Sequence, residues 1–305
     1  MDHADLSVEL CGLHLKNPVI AASGTFGFGA EYAKLYDLSI LGGISCKGLT
    51  LAPREGNPPT RLTGTAHGML NAVGLQNPGI EVFLQDVLPV MKTYGTAIIA
   101  NVAGSSVEDY AEITAKLAGS GVDMIELNIS CPNVHAGGVP FGTDPAVIEE
   151  VTRRARQNAG VPLMVKLTPN VTSIADCAKA AEQGGADAVS LINTFTGMAI
   201  DPVTRRMVIK NKTAGYSGPA VKPLAVRMVY QAARAVGIPV VGMGGIMTPA
   251  DVVEFMLAGA TAVMVGTANL LDPFALPIII DGLQRFCVEN GIETLRSLTG
   301  AVRED

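Results

Sequence analysis

The segment Asn128-Ile129-Ser130-Cys131-Pro132-Asn133 carries the residues whose types and spacing could do chemistry. Residues 122–127 read as a short buried strand, and residues 135–142 are too rich in Gly and Pro for a helix or strand. A thiol and two amides therefore follow a strand at the start of a loop, where catalytic groups concentrate. Cys131 could take a proton from a substrate, although a free thiol pKa of about 8.5 means that it needs help or alkaline conditions. The alternative is a small, inert cysteine.

Two lysines, Lys47 and Lys166, each follow an apolar stretch that reads as a strand. Alone, either one could simply extend its ammonium group to solvent. Facing each other in one site, the two would hold an anion or a polarised ring. The pyrimidine end of a flavin gathers negative charge on reduction, and a nearby lysine would stabilise that charge.

Two glycine-containing loops, 242–246 and 265–268, each precede a predicted helix. Glycines there let backbone N–H groups approach a phosphate, and a helix N-terminus favours the anion. Tight turns without a ligand are the alternative. No G-x-G-x-x-G follows a strand, so the dinucleotide fingerprint is missing. FMN, with its single phosphate, fits this pattern better than NAD.

The elements that must position these residues repeat as strand, loop and amphipathic helix. Strands with continuous apolar runs, alternating with helices, predict a parallel sheet covered on both faces. About eight such units predict an α/β fold, a single (β/α)8 TIM barrel spanning residues 1–305, preceded by an N-terminal β-hairpin. The predicted strands are 19–22, 43–46, 97–100, 124–127, 163–165, 188–191, 240–243 and 262–265, and the predicted helices lie near 31–37, 80–93, 107–119, 145–158, 173–183, 223–236, 249–258 and 273–289.

A polar residue or glycine follows every predicted strand, at the end where such barrels carry their sites. Each asparagine taken alone would be a turn residue. Two long insertions, 48–79 and 193–219, follow strands at the same end, and the second has the pattern of short strands of its own. The residues after the strands are Ser23 and Gly24, Lys47 and Gly48, Asn101, Asn128, Lys166, Asn193 and Thr194, Gly244 and Gly245, and Gly266 and Thr267.

The bulk composition excludes several function classes. Among 305 residues, 48% are hydrophobic and 16% charged, which indicates a large core rather than disorder. The net charge of −6 and the scattered basic residues argue against nucleic acid, and no apolar run is long enough to span a membrane. The N-terminus is unlike a signal peptide. Five cysteines without close spacing fit a reducing cytoplasm and no iron–sulfur or zinc site in this chain.

Taken together, these residues resemble the class 1 dihydroorotate dehydrogenases, FMN enzymes of pyrimidine synthesis. The resemblance extends over nearly the whole chain, and its combination of motifs is highly specific. It rests on residues 17–20, 23–24, 26–29, 71–79, 128–133, 165–170 and 192–194 and on the two glycine loops.

The resemblance implies a role for each of these positions. Cys131 would be the general base that removes a proton from carbon 5 of dihydroorotate, while a hydride leaves carbon 6 for FMN. The implied substrate-binding residues are Lys47, Asn71, Ala72, Val73, Gly74, Leu75, Asn128, Asn193 and Thr194. The implied FMN-binding residues are Ser23, Lys47, Gly48, Asn101, Asn128, Lys166, Ile192 through its backbone, Gly218, Gly244, Gly245, Gly266 and Thr267.

Residues 135–138 and 141–145 look most like the NAD-linked (1B) branch. That branch pairs the barrel with a second subunit carrying FAD and a [2Fe–2S] cluster, which implies a barrel homodimer within a heterotetramer. A fumarate-linked homodimeric (1A) enzyme would share nearly every site residue. A flavin-dependent tRNA dihydrouridine synthase and a non-redox phosphate-binding or silent scaffold barrel are further alternatives; the acidic charge argues against the RNA enzyme.

Overall fold

A computed structural model describes residues 3–130, 135–136 and 139–304. Eight parallel strands close into a barrel, each pairing with the next in sequence and the eighth with the first. The predicted TIM barrel is therefore confirmed. The strands are β1 (Val19–Ala21), β2 (Gly43–Ser45), β3 (Ala97–Val102), β4 (Met124–Asn128), β5 (Leu163–Lys166), β6 (Ala188–Leu191), β7 (Val240–Met243) and β8 (Ala262–Val265).

The barrel strands are buried along almost their whole length because helices cover their outer faces and side chains fill the interior. Their register determines which polar groups meet at the carboxyl end. Lys166 of β5 lies beside Asn128 of β4. Asn101 of β3 lies beside Glu126 of β4.

Several outer helices begin at polar caps that their sequences provide. Ser106 and Ser173 each accept a hydrogen bond from a backbone N–H of the first turn, and Thr248 forms a capping box with Asp251. The helices are Val107–Leu117, Pro145–Arg156, Ile174–Gln183, Lys222–Ala233, Pro249–Leu257, Ala268–Leu271 and Ala275–Glu289, and a helical segment after β2 comprises Ile80–Val82, the π-helical Phe83–Val87, Leu88–Met91 and the 3-10 turn Lys92–Tyr94. Further 3-10 turns are Phe141–Thr143, Pro219–Val221 and Leu295–Leu298.

The helix predicted near residues 31–37 is reduced to the 3-10 turn Tyr32–Lys34, and a second 3-10 turn, Leu38–Ile40, follows it. Asp37 between them has an extended backbone, with ψ of 114°, and its carboxylate accepts a hydrogen bond from Ser39 N at 2.9 Å. An aspartate that caps a new turn in this way ends the preceding one.

Outside the barrel, the predicted N-terminal hairpin is confirmed as Val8–Leu10 paired with Leu13–Leu15. Short antiparallel pairs also form between Ile200–Asp201 and Arg206–Met207, and between His135–Ala136 and Val139–Pro140. Within the described part of the chain, no helix combines the length and apolar character needed to cross a membrane.

The two long insertions join in one antiparallel sheet over the carboxyl ends of the barrel strands. We call it the cap sheet. Its strands lie in the order Phe195–Gly197, Ala214–Ser217, Gly68–Asn71 and Leu62–Thr65. The short strands predicted for the second insertion are thus present, and the first insertion contributes the other half of the sheet.

Candidate active site

A cleft lies between the carboxyl ends of the barrel strands and the cap sheet. It consists of two cavities of about 300 and 340 Å³. Both are lined by the same central residues, so they are two halves of one site of the size that cofactors and substrates occupy. The shared residues are Gly24, Lys47, Asn71, Val73, Lys166, Asn193 and Thr194.

The first half of the cleft is polar and is lined by amides that hydrogen-bond to one another. Ser130 Oγ donates to Asn128 Oδ1 at 2.7 Å. Asn193 Nδ2 donates to Asn128 Oδ1 at 3.4 Å and also to Ser130 Oγ. Asn193 Oδ1 in turn accepts from Thr194 N at 2.8 Å. These bonds give each amide a defined orientation at the wall of the cavity.

The segment Asn71–Leu75 forms another wall of the polar half, in a conformation that its glycine permits. Gly74 and Leu75 have φ of 80° and 56°. A Cβ on Gly74 would lie 2.7 Å from the backbone N of Asn57, so a larger residue is excluded. Asn57 holds this segment, because its Nδ2 donates to Ala72 O at 2.8 Å and its backbone N to Val73 O at 2.9 Å.

The second half of the cleft is mainly apolar and ends at the two glycine loops. Ile192, Met243 and Met264 line its wall. Gly244 and Gly245 have φ of 124° and 81°, and a Cβ on Gly245 would lie 2.8 Å from Lys222 N. Only glycine fits this turn without displacing backbone, as the sequence indicated.

Two ammonium groups face the cleft without anionic partners among the described side chains. Lys166 is 5% exposed, and its Nζ has Ser23 Oγ as its hydrogen-bond acceptor, at 3.4 Å. Lys47 is half-buried, and burial, together with the positive charges of Arg61 and Lys166, lowers its pKa. A buried cation without a counter-charge is costly, so this site favours an anionic or strongly polar ligand.

Below the mouth, the carboxylate of Glu126 lies fully buried in the barrel. Its Oε1 accepts from Ser190 Oγ at 2.7 Å, and its Oε2 accepts from Ser45 Oγ at 2.8 Å and Asn101 Nδ2 at 2.5 Å. The sequence interpretation overlooked both Glu126 and Asn57. A charged residue inside the apolar run 124–127 was the available signal for Glu126, whereas nothing in the sequence distinguished Asn57.

The structure brings nearly all the predicted site residues to this one cleft. Every predicted substrate-binding residue lines the polar half. Of the predicted FMN-binding residues, Gly218 alone is outside the lining of both halves; its carbonyl O lies 2.9 Å from where a Cβ on Gly245 would be. Cys131 lies outside the described residues, and its neighbour Ser130 lines the polar half.

The cleft fits a flavin mononucleotide on four structural grounds. Its apolar half suits a flat ring, and Lys166 offers a buried cation without a carboxylate partner among the described residues. The glycine loops provide backbone N–H groups at the far end. A Cβ on Gly24, which lines both halves, would meet no atom within 4 Å, so the cleft is open there.

Comparison with known proteins agrees with this geometry. The family model described as "Dihydroorotate dehydrogenase" matches residues 5–287. "Dihydroorotate dehydrogenase B (NAD(+)), catalytic subunit" of Alkaliphilus metalliredigens is 52% identical over 302 residues, covering 99% of this chain and 100% of that protein. The protein of the same name from Thermoanaerobacter pseudethanolicus is 54% identical over 301 residues, with 99% and 100% covered. The resemblance found in the sequence is confirmed, and the chain belongs to the dihydroorotate dehydrogenase family.

Proposed function

We propose that this protein is the catalytic subunit of an NAD-linked dihydroorotate dehydrogenase, which oxidises (S)-dihydroorotate to orotate in pyrimidine synthesis. The observation that carries the proposal is the cleft itself, where an amide-lined cavity adjoins an apolar cavity ending in glycine loops, with two lysines between them. The relatives named above support the choice of reaction.

The polar half matches the chemistry of the proposed substrate. Dihydroorotate has a carboxylate and a ring in which N–H and C=O groups alternate. The ammonium group of Lys47 suits the carboxylate, and the oriented amides of Asn128 and Asn193 suit the ring. The bent segment Asn71–Leu75 would close the other side with its backbone and with Asn71.

FMN in the apolar half would accept the hydride from carbon 6 of the substrate. Lys166, Asn101 and the backbone of Ile192 would hold its ring, while Gly244, Gly245, Gly266 and Thr267 would surround its phosphate. Thr267 Oγ1 donates to Ser217 Oγ of the cap sheet at 2.9 Å, which links the phosphate end to the cap. The cap and the barrel together would exclude water from the reacting atoms.

We assign the proton at carbon 5 to Cys131. This residue directly follows Ser130, whose hydroxyl lines the polar half and bonds to Asn128. A thiolate there would remove the proton as the hydride leaves, so that the ring gains its double bond without an unstable carbanion.

We further propose that the electrons leave through a partner subunit that carries FAD and a [2Fe–2S] cluster and reduces NAD, in a heterotetramer built on a barrel homodimer in the cytoplasm. The name "catalytic subunit" of the relatives supports a partner. The cysteine spacing of this sequence provides for no cluster of its own.

The test is anaerobic stopped-flow mixing of the purified yellow protein with dihydroorotate while the visible flavin band is followed. We expect rapid bleaching, and reoxidation by NAD only after the FAD/[2Fe–2S] subunit is added. Reoxidation by fumarate alone would identify the 1A branch instead. Bound FMN that dihydroorotate does not bleach would contradict the proposed substrate, and binding of tRNA at moderate salt would favour a dihydrouridine synthase.

Orotate binding should weaken as the pH rises through the pKa of Lys47. Burial lowers this pKa, so the protonated form that holds the carboxylate is lost at a lower pH than for an ordinary lysine. Losing a charge-assisted bond should raise the dissociation constant about 10- to 100-fold. The measurement is a titration of the flavin spectrum with orotate at several pH values.

The control for this prediction is Lys47→Arg, because a guanidinium stays charged throughout. Comparing the two proteins cancels any titration of orotate itself. Parallel pH profiles would mean that Lys47 does not hold the carboxylate in its protonated form.

A further inference from the structure

The side chain of Glu126 links residues on three other strands of the barrel. Its carboxylate accepts hydrogen bonds from Ser45 on β2, Asn101 on β3 and Ser190 on β6. Both of its oxygens therefore act as acceptors, and the residue has no exposed surface. Glu126 does not line either half of the cleft, so it acts on a ligand only through a neighbour.

That neighbour is Asn101, which lines the polar half. An asparagine amide has a donor side and an acceptor side of nearly the same shape, so its surroundings decide which one faces a ligand. Because Nδ2 of Asn101 donates to Glu126, its Oδ1 faces the mouth of the barrel, where Asn128 Nδ2 donates to it at 3.4 Å. Gly48 leaves room for this oxygen, since a Cβ there would lie 2.9 Å from it.

The orientation continues from Asn101 to the other amides. Since Asn128 turns its Nδ2 towards Asn101, its Oδ1 faces the opposite way and accepts from Ser130 Oγ and Asn193 Nδ2. Asn193 then uses its Oδ1 for Thr194 N. A chain of donor–acceptor pairs thus starts at one buried carboxylate and ends at the ligand-facing wall.

We propose that Glu126 is a positioning residue that determines which side of Asn101, and through it of Asn128 and Asn193, faces the cleft. The identity of the ligand rests on the proposed function. The consequence is specificity: a ring presenting N–H and C=O groups in a fixed order binds only if the wall presents the complementary order.

The test exchanges two functional groups with little change of shape: the amide of Asn101 becomes a carboxylate, and the carboxylate of Glu126 becomes an amide. Asn101→Asp places a carboxylate at position 101 against the carboxylate of Glu126, so that two acceptors face each other. This change should weaken orotate binding to the FMN-loaded protein about 10- to 100-fold. Adding Glu126→Gln supplies an amide that donates to the new carboxylate, whose second oxygen still faces the mouth. The orotate affinity of the double variant should recover to within about 5-fold of wild type. A double-mutant cycle measures this coupling between the two positions.

The matched control is Asn170→Asp combined with Glu126→Gln. This pair has the same net charge as the exchange, but Asn170, which also lines the polar half, makes no hydrogen bond to Glu126, Asn101 or Asn128 among the described contacts. Glu126→Gln should therefore not rescue Asn170→Asp. Additive losses in the exchange pair, or equal rescue in the control pair, would overturn the proposal.

FMN dissociation from each variant, followed by the return of flavin fluorescence, is the second readout and needs no substrate. We expect FMN affinity to show the same loss and rescue as orotate affinity. If wild-type protein does not bind orotate, the proposed function fails while the FMN cycle still tests Glu126. If Asn101→Asp does not fold, a folded, FMN-binding double variant supports the proposal, and a double variant that also fails to fold overturns it.

Discussion

Replacement of Cys131 by alanine is expected to slow flavin reduction by dihydroorotate about 10²- to 10⁴-fold and to leave FMN and orotate bound. General-base catalysis is worth that much, which corresponds to a barrier higher by roughly 3–6 kcal/mol. The measurement is the rate of flavin bleaching in anaerobic stopped-flow at saturating dihydroorotate. Because binding and proton removal are separate functions here, the loss should appear in the limiting rate and hardly in the substrate dependence.

The other cysteines cannot replace Cys131 as the base. Burial raises the thiol pKa of Cys177 to about 11 and that of Cys46 to about 12, with Asp176 and Glu126 respectively adding to the effect. Burial also raises the pKa of Cys11 to about 11 and that of Cys287. These groups stay protonated at neutral pH and are unsuited to accepting a proton.

Cys177→Ala is therefore the matched control for Cys131→Ala. Cys177 is buried in the helix Ile174–Gln183 and does not line the cleft, so its loss should leave the bleaching rate within about 2-fold of wild type. A Cys131→Ala protein that bleaches as fast as wild type would remove the thiol from the mechanism.

The barrel could be predicted from sequence because its determinants are local. Buried strands such as Ala262–Val265 are short apolar runs, and several outer helices begin at a capping residue such as Thr248. Gly244 and Gly245 likewise report a local backbone requirement, since both have a positive φ. Since parallel strands share one carboxyl end, the polar residues that follow them could be assigned to one mouth before any contact was known.

The features that the sequence did not reveal depend on contacts between distant residues. The cap sheet requires Gly215 to pair with Asn71, which is a contact between two insertions that no pattern within either one specifies. Glu126 binds groups on three other strands. The shortened helix after β1 depends on the conformation that Asp37 adopts. In each case a tertiary contact or a single capping residue determined the structure, and the local propensity of the segment did not.

Lys166→Met is expected to have opposite effects on stability and on catalysis. In the protein without ligand, Lys166 is a buried ammonium group whose hydrogen-bond acceptor, Ser23 Oγ, is 3.4 Å away. Replacing a buried charge by an apolar side chain of similar length is often stabilising by about 1–4 kcal/mol. We therefore expect the FMN-free variant to unfold at a higher temperature or urea concentration than FMN-free wild type.

The same substitution should slow flavin reduction about 10²- to 10³-fold, because a fixed positive charge beside developing negative charge contributes about that much. The midpoint potential of bound FMN should fall as well, since the reduced and more negative form loses its cation. Spectroelectrochemical titration measures the potential, and stopped-flow bleaching measures the rate.

Lys47→Met distinguishes the two lysines. Lys47 is half-buried, so its removal should stabilise the FMN-free protein less than removal of Lys166, and its main effect should be on orotate affinity rather than on flavin potential. If Lys166→Met destabilised the FMN-free protein and left the potential unchanged, Lys166 would be a structural residue. A gain in stability with a fall in potential would mean that the fold keeps a costly buried charge because the reduced flavin needs it.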